Sequence, residues 1–146
     1  MKAPRNHDTL KILIVDDSDF NRRSMGDILT EEGFNVVGLA SKAEEAIQLA
    51  HTTKANLIFI DIVMPEISGL DLTKHFQEKQ QTSSDERYLI LMSSLNIESI
   101  VIEAISNGAI DFLQKPFERE DLIKAVEKIE RLVEKDAPPT TEASAE

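Results

Sequence analysis

Five short apolar runs recur along this chain, each followed by a stretch whose apolar residues fall at helical spacing, and this alternation constrains the fold more than any other feature. The runs lie at Lys11–Val15, Asn35–Leu39, Leu57–Ile60, Tyr88–Met92 and Asp111–Gln114. The spacing predicts helices over Ser18–Glu32, Ala43–Ala50, Leu70–Lys79, Ile97–Ser106 and Arg119–Lys135. In the first, Phe20, Met25, Ile28 and Leu29 are expected to face inward; in the last, Leu122, Val126, Ile129 and Val133 share one face. Gly33 and the pair Asn107-Gly108 are the expected helix stops, and Gln80–Arg87 reads as a polar loop. The run Leu57–Ile60 is apolar at every position, as in a strand covered on both faces. The pattern is that of an α/β chain, a parallel sheet with helices on both sides, and in such sheets ligands bind beyond the carboxyl ends of the strands.

With 146 residues the chain suits one core. Residues 1–9 read as a flexible N-terminal extension, 10–135 as the domain, and 136–146, with Pro138 and Pro139, as a disordered tail or the start of a linker. No uninterrupted apolar run exceeds five residues, far from the roughly 18 that span a bilayer, so no membrane association is expected. Lys2 and Arg5 precede no apolar stretch, and with no cysteine to form disulfides a cytoplasmic location is expected. The formal net charge of -11 repels phosphate backbones, and Lys and Arg are scattered among acidic residues, so direct nucleic-acid binding is not expected.

Four of the five runs end in a chemically distinctive side chain. The first ends in Asp16 and Asp17, the third in Asp61, the fourth in Ser93 and the fifth in Lys115. Singly, each has an ordinary reading: an aspartate after a strand caps a helix or makes a turn, and a serine or lysine is a cap or a solvated charge. Jointly, at the same end of one sheet, they make a pocket of three carboxylates, a hydroxyl and an ammonium. Clustered carboxylates repel, and a divalent cation relieves that cost. Oxygen-only ligands select a hard ion, magnesium above all. Cation, ammonium and hydroxyl together stabilise a transferring phosphoryl group, and a carboxylate among them can act as nucleophile.

The segments Ile14-Val15-Asp16-Asp17-Ser18, Asp61-Ile62-Val63-Met64-Pro65 with Gly69, Met92-Ser93-Ser94, and Gly108-Ala109 through Lys115-Pro116-Phe117 occur in order. Over about residues 10–135 the chain resembles the receiver domains of two-component response regulators. The resemblance implies a flavodoxin-like (βα)5 three-layer sandwich with strand order 2-1-3-4-5. It implies Asp61 as phosphoacceptor, magnesium held by Asp17, Asp61 and the Val63 backbone carbonyl, and Asp16 reaching the ion through water. Ser93 would bind a phosphoryl oxygen, Lys115 would pair with the phosphate, and the Lys115-Pro116 bond would be cis. Phe112 matches the aromatic switch position that turns inward as Ser93 moves toward the phosphate; it equally suits an ordinary strand residue. The implied function is a signalling switch, not an enzyme acting on a separate substrate. A sensor histidine kinase or phosphotransfer protein would phosphorylate it, and the signal would leave through the face of the last two helices and the strand between them. The last helix is near-heptad, so a monomer or a phosphorylation-dependent dimer is expected.

There are departures from the family pattern. Phe112 is often Tyr in relatives, Ser94 stands where Ala is common, and Val63 and Leu95 are aliphatic where many relatives are polar. Rival readings fare less well. A haloacid-dehalogenase-type phosphatase needs a second Asp two residues after the nucleophile, where this chain has Val63. Neither glycine-rich nucleotide loop occurs. An unphosphorylated pseudo-receiver acting as an interaction module is opposed only by the completeness of the site.

Overall fold

The computed structural model describes residues 9–82, 86–95 and 98–136. Its elements alternate as expected: β1 (Lys11–Val15), α1 (Asp19–Glu31), β2 (Asn35–Ala40), α2 (Ala43–Thr53), β3 (Leu57–Asp61), α3 (Gly69–Thr82), β4 (Tyr88–Ser93), α4 (Glu98–Ser106), β5 (Asp111–Gln114) and α5 (Arg119–Asp136). The strands form one five-stranded parallel sheet in the order β2-β1-β3-β4-β5. The fold is thus the α/β, flavodoxin-like arrangement anticipated.

The period-two side-chain alternation of the strands sorts the core into two layers. Leu13, Val15, Ile58, Ile60, Leu89 and Leu91 pack with Ala43, Ala46 and Ala50 of α2, Leu72 and Phe76 of α3, and Ala104 of α4. Ile12, Ile14, Leu57, Phe59, Ile90 and Met92 point the other way, against Met25 and Leu29 of α1 and Leu122, Val126 and Ile129 of α5. Each layer hides aliphatic side chains worth about 1.5–3 kcal/mol apiece against exposure, which holds the strand ends in fixed positions.

Caps set where helices begin and end. Ser18 is the N-cap of α1, its Oγ accepting from Asn21 N at 3.2 Å. Gly33 and Gly108 take positive φ of 86° and 109° just past α1 and α4, which is why glycine ends those helices. Two local expectations are corrected. Phe20 does not face inward but is 79% exposed, because at about 100° per residue it stands roughly 180° around α1 from the buried Leu29. The expected loop from Gln80 begins late: α3 continues to Thr82, since Gln80 and Gln81 favour helix and neither Gly nor Pro interrupts it. Residues 83–85, Asn96 and Ile97, the extension up to Asp8 and the tail from Ala137 lie outside the described residues.

Candidate functional site

Strand register brings the singled-out residues together. Val15 of β1 pairs with Ile60 of β3, so Asp16 and Asp61 leave adjacent strands at the same level. Asp61 itself pairs with Met92, and Ser93 with Gln114 immediately before Lys115. One carboxylate oxygen from each of Asp16, Asp17 and Asp61 lies within 4.8 Å of the other two. Asp16 and Asp61 are buried, while Asp17 is exposed at the mouth.

Lys115 partly offsets this charge. Its Nζ lies 2.6 Å from Asp16 Oδ2 and 3.3 Å from Asp61 Oδ2. The Lys115-Pro116 bond is cis, as the family resemblance implied. Asp16 Oδ1 also accepts from Ser18 N at 2.9 Å, and Asp61 Oδ1 from Val63 N at 3.3 Å. Burial pushes the Asp61 carboxyl up to about 6 from 3.8; the Asp16 charge adds to the rise, and Lys115 opposes it. Three carboxylates against one ammonium leave an anionic pocket, and their oxygen donors fit a hard divalent cation.

Around this centre Ser93 is fully buried, its Oγ accepting from Leu95 N at 2.9 Å. Val63 and Leu95 are exposed, at 58% and 42%. Phe112, partly buried, packs against the core layer beneath α2, α3 and α4. Gly69 brings α3 back over the site: its N donates to Ile62 O at 2.8 Å, and a Cβ there would lie 2.3 Å from the Asp61 carbonyl oxygen. Only glycine tolerates that approach. One contact passed unnoticed in the sequence: Arg22 of α1 donates to the main-chain carbonyl of Asp16 at 2.6 Å. Nothing in its helical position distinguishes it from a solvated arginine until the β1–α1 loop is seen folded beneath it.

Residues 12–127 match the response regulator receiver domain. The chain belongs to that family. It is 34% identical over 121 residues to the chemotaxis protein CheY of Thermotoga maritima, covering 83% of this chain and 98% of that one. It is 37% identical over 118 residues to CheY of Bacillus subtilis, covering 81% and 95%. A structure of the CheX-CheY-BeF3-Mg complex from Borrelia burgdorferi superposes with a TM-score of 0.76 at 30% identity, covering 85% of this chain and 93% of that one. The same unit recurs in a longer enzyme, the protein-glutamate methylesterase of Archaeoglobus fulgidus, with 39% identity over 109 residues and 30% of that protein covered. Receiver domains of this kind are signalling domains of two-component systems. Among the described residues no helix is long and apolar enough to cross a membrane.

Proposed function

We propose that the domain, residues 10–135, is a magnesium-dependent phosphorylation switch with Asp61 as phosphoacceptor. The convergence of Asp16, Asp17 and Asp61 within 4.8 Å, two of them held by Lys115 Nζ, carries this reading. Asp17, Asp61 and the Val63 carbonyl would hold the cation, with Asp16 supporting it through water. Bound there, magnesium neutralises charge on the transferring phosphoryl oxygens and keeps Asp61 ionised.

The chain's own groups do the rest. An ionised Asp61 oxygen attacks the phosphorus of a phosphohistidine; the phosphorus–nitrogen bond breaks, the imidazole leaves and takes up a proton, and an acyl phosphate forms. Lys115 exchanges a carboxylate partner for a phosphoryl oxygen, a charge-assisted bond that holds the product. Ser93 turns its hydroxyl from the Leu95 amide to a second oxygen, and Phe112 follows it inward. A switch needs such a two-state element that the modification biases.

The donor is a sensor histidine kinase or a phosphotransfer protein. The output leaves through α4, β5 and α5, where exposed Ile102, Ile105 and Ile110 support a protein-binding surface. The chain acts as a cytoplasmic monomer or a phosphorylation-dependent dimer and does not bind nucleic acid. Radiolabelled acetyl phosphate with magnesium tests the class. Stoichiometric labelling is expected; rapid turnover of donor means a hydrolytic enzyme, and absent labelling means a pseudo-receiver.

A further inference from the structure

Arg22 stands outside the residues assigned above, yet it grips the backbone of the site. Its Nη1 donates the 2.6 Å bond to the Asp16 carbonyl, and its Nη2 pairs with the Asp19 carboxylate one turn back on α1. The arginine side chain is 15% exposed and the aspartate 80%. The guanidinium is therefore stowed against the β1–α1 loop, with an outward carboxylate holding its other edge. A planar fork with several donors suits two acceptors at once, which a lysine's point charge does not.

The carbonyl it grips belongs to the planar peptide joining Asp16 to Asp17. Asp16 is otherwise fixed on both sides of its Cα: its amide donates to Ala40 O at 3.1 Å, and its side chain accepts from Ser18 N at 2.9 Å. Asp17 is the exposed member of the triad and gains little restraint from packing. Holding the Asp16 carbonyl stops the peptide plane from rotating. That sets the direction in which the Asp17 side chain leaves the loop toward Asp16 and Asp61.

A positive charge beside a cation site is at first sight a liability, because it repels the ion. The pairing with Asp19 offsets that repulsion while leaving the donated hydrogen bond in place. Electrostatics and positioning thus make opposite claims about the loss of Arg22. A mere bystander charge, once removed, lets a divalent cation bind more tightly. A positioning group, once removed, lets it bind more weakly.

We propose that Arg22, anchored on Asp19, is a positioning residue for the divalent-cation site, holding the Asp16-Asp17 peptide so that Asp17 presents its carboxylate to the ion. The inference rests on the cation reading of Asp16, Asp17 and Asp61. Partners that orient metal ligands typically contribute about 10- to 100-fold in affinity, and an outlying backbone clamp belongs at the lower end, about tenfold.

Calorimetric titration of magnesium alone into the parent chain, Arg22→Ala, Arg22→Lys and Asp19→Asn near neutral pH tests it. Arg22→Ala is expected to bind magnesium about tenfold more weakly, with Arg22→Lys recovering part of the loss, because its ammonium can donate to the Asp16 carbonyl but lacks the planar fork that also engages Asp19. At saturating magnesium the labelling rate of Arg22→Ala returns close to that of the parent, since Arg22 touches no reacting atom. Asp19→Asn changes an exposed side chain and keeps the test open if Arg22→Ala does not fold. Its loss of affinity is expected to persist in high salt, where a simple surface-charge effect is screened away. Unchanged or tighter magnesium binding in Arg22→Ala, or an Asp19→Asn deficit that salt abolishes, overturns the inference while the cation reading stands. A parent chain that takes up no magnesium overturns the cation reading and this inference with it.

Discussion

Replacing Asp61 by Asn should change the stability of the metal-free protein in a pH-dependent way whose sign is set by burial. Folding raises this carboxyl from 3.8 to about 6. The folded state therefore holds the proton more tightly than the unfolded one. Its contribution to stability is fully present below about 4 and is lost as pH rises through about 6. For a single site with those values, going from near pH 8 down to near pH 5 stabilises the fold by about 1.4 kcal/mol; solvent at the pocket mouth reduces this to about 1 kcal/mol. Asparagine does not titrate, and in the variant Lys115 keeps its 2.6 Å partner Asp16. The parent should thus gain about 1 kcal/mol on Asp61→Asn over that pH interval, with the variant at least as stable near pH 8. The chain has no tryptophan, so urea unfolding in the presence of a chelator is followed by far-UV circular dichroism. The difference between parent and variant is taken at each pH, which removes the titrations the two share. Added magnesium should reverse the order near pH 8, because an ion that binds only the folded parent stabilises only the parent. A difference that does not vary with pH, or a parent that gains as pH rises without metal, would refute the reasoning.

Lys115→Ala strips the ammonium from the fully buried Asp16 and should lower metal-free stability by about 3 kcal/mol; with magnesium it should still label, but beryllofluoride should leave the NMR resonances near Phe112 largely unshifted, and full parental shifts would sink the coupling role. Gly69→Ala forces a methyl group into the Asp61 carbonyl and should cost about 2 kcal/mol or more, read as a lower thermal midpoint; an unchanged midpoint contradicts the close approach. The double variant Val63→Asn, Leu95→Glu should lose its phosphoryl group about tenfold faster than the parent, because polar groups in place of the exposed aliphatics can orient an attacking water. Equal decay in a label-chase experiment ends that idea.

The strand ends were legible because chemistry and periodicity coincide there: an apolar run such as Leu57–Ile60 stops at a carboxylate, and a parallel sheet gathers all such stops on one edge. Strand order was not legible from periodicity, which is blind to neighbours; it came from the family resemblance, and the sheet bears it out. Phe20 defies the expectation because apolar character alone does not set a direction, and its angular position on α1 opposes Leu29. The extra turn of α3 was hidden because polar residues there obey helix propensity without showing an apolar stripe. Arg22 could not be recognised from spacing, since its partner is a main-chain carbonyl, and a backbone acceptor leaves no residue type to look for. Gly69 stands in the sequence only as part of the motif that follows Asp61, whereas its contact with the Asp61 backbone emerges only from the folded loop.

The central claim is that Asp61 accepts the phosphoryl group, and the most direct measurement is the mass and position of the adduct. The chain is incubated with acetyl phosphate and magnesium, its intact mass is recorded, and the acyl phosphate is reduced with borohydride before peptide sequencing by mass spectrometry. The account predicts a single phosphoryl group per chain, a reduced residue at position 61, and no adduct on Asp61→Asn. An adduct mapped elsewhere, or an Asp61→Asn variant that labels as fully as the parent, would contradict it.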